Sequence, residues 1–244
     1  MSNDLNQNRN KYDLAQDILS GFQKEARIAI LMSGKGSNAK NILAHRHWYP
    51  NLNFFAIVSD NLGSNAEKLG QEYGIKTIVC TGSVRTEELR KIFFAKLGEE
   101  LKKLNIEYVI YAGFMKIATK DFVYQFPGIN MHPSDLTRVD DDRIPLYRGM
   151  DALTNAVSAG EPYVASTLYV VDDTIDAGLP LAVSRHMKIL SKDKEDPVQL
   201  HEKLKQKGEH HLFPRVLTLL ARGLIDENKL PLRAEFDNLD SMMK

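Results

Sequence analysis

The chain has 244 residues, 43% hydrophobic, 26% charged and 8% aromatic, enough to bury the core of one sizeable domain and too balanced for disorder or a coiled coil. Lys and Arg number 32 and Asp and Glu 32, a formal net charge of zero that argues against a broad nucleic-acid-binding surface while leaving room for a local anion site. The one cysteine, Cys80, excludes internal disulfides and Cys-based zinc clusters and points to a reducing, cytoplasmic compartment. No apolar run approaches the roughly 18 residues of a membrane-spanning helix, and the N-terminus carries both signs of charge without an apolar signal core.

In chain order, Leu14, Ile18 and Phe22 recur at a spacing of four. They predict a short amphipathic helix in an N-terminal extension, residues 1–26, that packs onto the body or a sister subunit. From residue 27 the chain alternates strand-like and helix-like stretches. Residues 27–32 (RIAILM) are an apolar run that ends in SGKGSN and leads into a helical stretch, AKNILAHRHW. Residues 53–59 (NFFAIVS) read as a second buried strand, followed by a helix through Glu72 and a third strand over 75–79. Residues 86–104 make the clearest helix, with Leu89, Ile92, Phe93, Leu97, Leu101 and Leu104 as one apolar stripe. Glu87 and Glu88 stand in its first turn, where the helix dipole favours negative charge. Strands follow over 108–112 and 128–131, with a helix over 120–126 between them. A helix over 149–159, strands over 166–171 and 180–188, and one long closing helix over 197–222 complete a main domain of residues 27–225. Pro197 suits the first turn of that last helix, and residues 226–244 read as a tail.

Strands buried on both faces and spaced by helices imply an α/β fold, a mostly parallel central sheet with helices on both faces. Ligands in such sheets sit beyond the carboxyl ends of strands, and three polar groups follow strands here. The first, Ser33-Gly34-Lys35-Gly36-Ser37-Asn38, opens a helix whose free N–H groups attract an anion; an ordinary helix cap after a tight turn is the plainer alternative. The pattern is neither a dinucleotide GxGxxG nor a Walker loop, so phosphate fits better than a dinucleotide. The second is Asn130-Met131-His132-Pro133-Ser134. Alternation puts Asn130 and His132 on one side of a strand, where an amide donor and an imidazole suit an oxyanion and proton movement; a hydrogen-bonded structural histidine is the alternative. The third, Asp172-Asp173-Thr174-Ile175-Asp176-Ala177-Gly178, lacks the ligand spacing of a calcium loop and is most simply a solvated turn. One aspartate facing His132 would raise the histidine pKa above its reference of about 6.5.

Five motifs stand in a telling order: SGKGSN, AGFMKI (112–117), INMHPS (129–134), IDAG (175–178) and GEHHLFP (208–214). From about residue 27 to 222 the chain resembles phosphoribosylglycinamide formyltransferases. The resemblance implies the Rossmann-like formyltransferase fold and transfer of a formyl group from 10-formyltetrahydrofolate to the amine of glycinamide ribonucleotide, without a metal. It also implies a catalytic set of Asn130, His132 and Asp176, with His132 held cationic, and a phosphate cradle of Gly36, Ser37 and Asn38. Glu209 would contact the glycinamide end. Folate contacts fall on Met115, Lys116, Ile117, Ala118 and Asn130, and on an upstream arginine, Arg90 by ungapped counting or Arg85 in the preceding turn. Partners would be the phosphorylated amine and folate, with no nucleic acid or membrane, in a monomer or homodimer.

One departure from the family pattern falls on the folate side and three near where the acceptor or a lid would be. Lys116 replaces an arginine, losing a planar fork but keeping the charge. The stretch after HPS is long and acidic, with Asp140, Asp141 and Asp142 at a solvated tip or a lid. Tyr169 stands where a histidine is common, and a proline is displaced to Pro180. The proton can pass from amine to folate through His132 or through an Asp176-bound water. Alternatives are an N-formyltransferase acting on an amino-sugar nucleotide, or a non-catalytic folate- or nucleotide-binding relative. A tRNA formyltransferase lacks support, there being no basic excess.

Overall fold

Alternation along each strand sorts its side chains into two cores. In β1 (Ala26–Met32), Ile28, Ile30 and Met32 enter one core while Ala29 and Leu31 enter the other. β2 (Leu52–Ser59) divides in the same way, Ile57 against Ala56 and Val58, as does β4 (Tyr108–Tyr111), Ile110 against Val109 and Tyr111. Strands apolar on both faces require cover on both faces, and the helices supply it. This computed structural model describes residues 10–191 and 196–233.

The first core is covered by α1 (Lys11–Gly21), α2 (Ser37–Ala44), α3 (Ala66–Tyr73) and α8 (His210–Ala221), the second chiefly by α4 (Glu87–Lys103). Between them α5 (Lys120–Gln125) gives Val123 and Tyr124 to one core and Phe122 to the other. The remaining strands are β3 (Lys76–Val79), β5 (Gly128–His132), β7 (Thr167–Val170), β8 (Pro180–Val183) and β10 (Leu232–Arg233). They form one eight-stranded sheet of order β10-β8-β7-β5-β4-β1-β2-β3. Pairing is parallel from β3 to β5 and between β8 and β10, and antiparallel on both sides of β7. A third, smaller cluster joins α6 (Ala152–Ser158), α7 (Pro197–Leu204) and a two-stranded sheet of β6 (Tyr163–Val164) and β9 (Met187–Lys188).

The α/β expectation holds, the N-terminal helix packs onto the body as one of its two expected placements, and other particulars differ. The predicted strand over 180–188 is two strands in different sheets, β8 and β9. The stripe on α4 is turned: Leu89 and Ile92 are 40% and 64% exposed, while Phe94 and Gly98 are buried. Both Leu14–Ile18–Phe22 and Leu232 belong to the body. The three N-terminal residues are fully buried in the first core, Phe22 edge-on to Tyr108 at 5.3 Å between ring centres, and β10 lengthens the sheet beside β8. Residues 1–9 and 234–244 of the predicted extension and tail lie outside the described residues.

The closing helix is also interrupted. A π-helical turn, Lys205–Glu209, separates α7 from α8. Pro214 lies inside α8, where it can donate no N–H to the carbonyl four residues back and its ring crowds that carbonyl. That carbonyl is His210, and the side-chain amide of Asn41 on α2 donates to it at 2.7 Å. The proline thus ties the closing helix to α2, and the wide turn just before it carries Glu209 inward.

Candidate active site

Asn130 and His132 leave the same face of β5. Across the antiparallel pair, Tyr169 lies directly opposite Asn130 and Thr167 opposite His132, so these four side chains share that face. Because β7 runs against β5, its carboxyl end points away from His132, and the loop after it must fold back to take part. The Val171 N–H donates to the Gly128 carbonyl and the Val170 N–H to the Leu179 carbonyl, each at 2.9 Å, closing the base of that loop. A Cβ at Gly178 would lie 1.8 Å from the Val170 carbonyl oxygen, so the closure requires glycine. Asp176 stands at φ 48°, a left-handed conformation that costs a non-glycine residue about 1 kcal/mol or more.

That reversal brings the carboxylate home. Asp176 Oδ2 is 3.4 Å from His132 Nδ1 and accepts the Gly149 N–H at 2.8 Å. Its Oδ1 accepts the Tyr169 hydroxyl at 2.7 Å, and the Tyr169 oxygen accepts from Asn130 Nδ2 at 3.0 Å. His132 Nε2 lies 3.1 Å from the Tyr147 carbonyl, which also accepts the Ser134 hydroxyl at 2.6 Å. The three predicted catalytic residues therefore meet in one network. The Tyr169 hydroxyl and the Tyr147 carbonyl, which complete it, were missed. Tyr169 had been legible only as a departure from a pattern, since its place opposite Asn130 depends on strand pairing.

The electrostatics reverse one expectation. Both ring nitrogens of His132 face oxygen acceptors, which favours the imidazolium, yet the residue is 5% exposed and burial pushes its pKa below the ordinary value, outweighing Asp176 and Tyr147. At 3.4 Å the carboxylate returns only part of the lost hydration. Burial thus sets the direction of the shift: the His132 pKa lies below its ordinary value rather than above it.

Gly36 caps α2 at φ 70°, and a Cβ there would lie 2.6 Å from Met32 Cε and 2.9 Å from Leu69 Cδ1. The left-handed conformation favours glycine, and a side chain would also have to displace the ends of Met32 and Leu69. The N–H groups of Ser37 and Asn38 follow in the helix's first turn, where no carbonyl of the same helix is available to them. The Asn38 side chain, expected at the anion, turns inward instead: its Nδ2 donates to Glu209 Oε2 at 2.7 Å, and its buried Oδ1 has no partner among the described residues. Glu209 is 3% exposed, also accepts from Ser166 Oγ at 3.1 Å, and has His201 Nε2 at 3.9 Å. Burial raises the Glu209 carboxyl above its usual range, while burial and Lys205 push His201 down to about 4. His132 acts electrostatically on His201, which lies beside Glu209, so the Glu209 cluster adjoins the Asn130–His132–Asp176 network.

The predicted folate loop is tied to the anion loop. Ser33 N–H donates to the Gly113 carbonyl at 3.0 Å and Met115 N–H to Ser33 Oγ at 2.8 Å. Met115 and Ile117 are exposed by 61% and 48%, and Ala118 is half-buried between the two cores. Lys116 pairs with Asp60 at 3.3 Å and lies 5.1 Å from the Phe93 ring centre. Arg90 is three residues before Phe93 on α4 and so shares its face; its Nε is buried without a partner among the described residues. Arg85 is exposed in the turn before α4. The acidic stretch forms a small hairpin, Val139 bridging Pro145, with Asp140 Oδ1 accepting the Asp142 and Ile144 N–H groups. Its tip is exposed, and its far end supplies the Tyr147 carbonyl. Among the described residues no group of three or more His, Cys, Asp or Glu could hold a metal ion, and no helix is long and apolar enough to cross a membrane.

Residues 26–217 match the formyl transferase family. The chain belongs to the formyl transferase family. Within it, the trifunctional purine biosynthetic protein adenosine-3 of Drosophila melanogaster is 30% identical over 215 residues, covering 85% of this chain. The chain spans only 15% of that protein's length. Phosphoribosylglycinamide formyltransferase from Anaplasma phagocytophilum is similar in structure, with a TM-score of 0.67 and 25% identity over 86% of this chain and 100% of its own. The Coxiella burnetii phosphoribosylglycinamide formyltransferase gives 0.66 and 26%, covering 82% and 89%. The sheet order and helical layers are those of the Rossmann-like formyltransferase fold.

Proposed function

We propose that this chain transfers a formyl group from 10-formyltetrahydrofolate to the amine of glycinamide ribonucleotide, a step of purine biosynthesis. The observation that carries this reading is the convergence of Asn130, His132 and Asp176 on one network beside the buried Glu209. Its similarity to phosphoribosylglycinamide formyltransferases supports the choice of acceptor.

In this reading the acceptor phosphate lies on the backbone N–H groups after Gly36, and Glu209 receives the glycinamide end. Folate runs along the exposed residues Met115 and Ile117, with Lys116, Ala118 and Arg90 beside them. The acceptor amine attacks the formyl carbon, forming a C–N bond and a tetrahedral oxyanion. Asn130 donates to that oxygen; one such donor is worth about 3–4 kcal/mol. The attacking nitrogen becomes cationic, and His132 takes its proton at Nε2 as that nitrogen gives up the Tyr147 carbonyl. The resulting imidazolium, held by Asp176, offsets the oxyanion and then gives the proton to the folate nitrogen as the old C–N bond breaks.

The test is to incubate purified protein with 10-formyltetrahydrofolate and a panel of amines, including glycinamide ribonucleotide and amino-sugar nucleotides, and to follow deformylated folate. Transfer to glycinamide ribonucleotide alone is expected. Transfer to an amino sugar instead would reassign the acceptor, folate loss without acceptor would indicate hydrolysis, and binding of both ligands without transfer would mark a non-catalytic relative.

A further inference from the structure

We propose that Tyr169 is a positioning residue that fixes which end of the Asn130 side-chain amide faces the reacting oxygen; this deepens, and rests on, the function proposed above. The bridge it makes has a forced direction. Asp176 acts as an acceptor at both oxygens, taking the Gly149 N–H at Oδ2 and the tyrosine hydroxyl at Oδ1. A phenol has one proton to donate, and here it is committed to the carboxylate at 2.7 Å. Toward Asn130, at 3.0 Å, the same oxygen is then an acceptor only. An amide turned over would present its own carbonyl oxygen to that lone pair, two acceptors face to face, so the NH2 end is selected. A primary amide carries two N–H donors; one goes to Tyr169, and the second remains for an oxyanion.

The site is built to keep this order. Tyr169 is 3% exposed, and burial, with Asp176 beside it, keeps the phenol protonated far into the alkaline range. Its backbone is held in the sheet directly opposite Asn130, so its hydroxyl is carried on a rigid element rather than on a loop. Asp176 is thus given two tasks through its two oxygens: Oδ2 faces the imidazole, and Oδ1 acts on the amide through the phenol. The carboxylate and the oxyanion donor do not touch, and Tyr169 is what joins them.

Y169F removes one oxygen and keeps the ring. Its expected effect is a fall in kcat of about tenfold or more, with KM for folate and for the amine changed by less than about threefold. Y169H, whose imidazole donates at one nitrogen and accepts at the other, should recover most of the lost rate. In an N130A background Y169F should cost little further rate, because the residue acts through Asn130. Full kcat in Y169F, or an undiminished loss in the N130A background, would overturn the proposal. A second readout needs no turnover: the Asn130 side-chain NH2 signals, assigned by their absence in N130A, should exchange slowly with solvent in the parent protein and rapidly in Y169F. Should the parent transfer formyl to no amine, the function proposed above fails, while exposed amide protons in Y169F still sustain the positioning role and unchanged ones overturn it.

Discussion

Asn130, His132 and Asp176 occupy the same network through three different local devices. Asn130 and His132 share a face because strand side chains alternate, and that was legible in the sequence. Asp176 arrives by a loop that closes over Gly178 and leaves the aspartate at φ 48°, which was not. Sequence reasoning also misjudged the direction of the His132 pKa shift, since it weighed a neighbouring carboxylate without the burial that opposes it. We expect His132→Ala and Asp176→Asn each to lower kcat by a factor on the order of 10² or more with little change in thermal midpoint. Near-normal turnover in both would remove them from the chemistry. Since burial lowers the His132 pKa, the rate should be level above about pH 6.5 and decline only in more acidic solution, a profile the same assay reads.

Each element that carries the site owes its placement to a small number of steric demands. The turn into α2 exists only because Gly36 accepts φ 70° and presents no Cβ to Met32 and Leu69. Gly36→Ala should therefore destabilise the fold by about 1–3 kcal/mol, read as a lower denaturant midpoint, and weaken phosphate-bearing ligands at the α2 N-terminus. An unchanged midpoint would show that the turn relaxes without cost. The glycine-bearing turn and its helix were readable from SGKGSN. The π turn that delivers Glu209 was not, because Pro214 announces a disturbed helix but not where the disturbance falls. The misread stripe on α4 has a similar cause. Leu89 and Ile92 satisfy helical periodicity as well as Phe94 does, and only the position of α4 over β1 and β2 decides which row is covered.

Across the whole molecule, burial of ionisable groups links stability to pH. His132, His201 and His210 have pKa values lowered chiefly by burial, His201 to about 4. The unfolded chain protonates them near its ordinary value of about 6.5, the folded chain only further into acid. Their contribution to stability is therefore complete above about pH 6.5 and is lost as pH falls from there toward 4. Glu209 has the opposite sign: its raised carboxyl contributes most below the ordinary carboxylate range and less as pH rises through its folded value. Thermal midpoints should fall from pH 7.5 to pH 5, and His201→Gln should flatten the slope. A midpoint independent of pH over that range would contradict the burial assigned to these histidines.

Composition, charge, the single cysteine and the succession of strand and helix periods determined the α/β class and most element positions, because apolar periodicity is a local property of the chain. The motifs at strand ends likewise named the three residues, Asn130, His132 and Asp176, that the structure brings into one network. Contacts between distant segments are another matter: strand pairing decided that β7 runs against β5, that Tyr169 lies opposite Asn130 and that β10 joins the sheet, and packing between helices decided that Asn38 turns to Glu209. The direction of the His132 pKa shift belongs with these, for desolvation is set by everything packed around a group and by nothing in its own sequence neighbourhood.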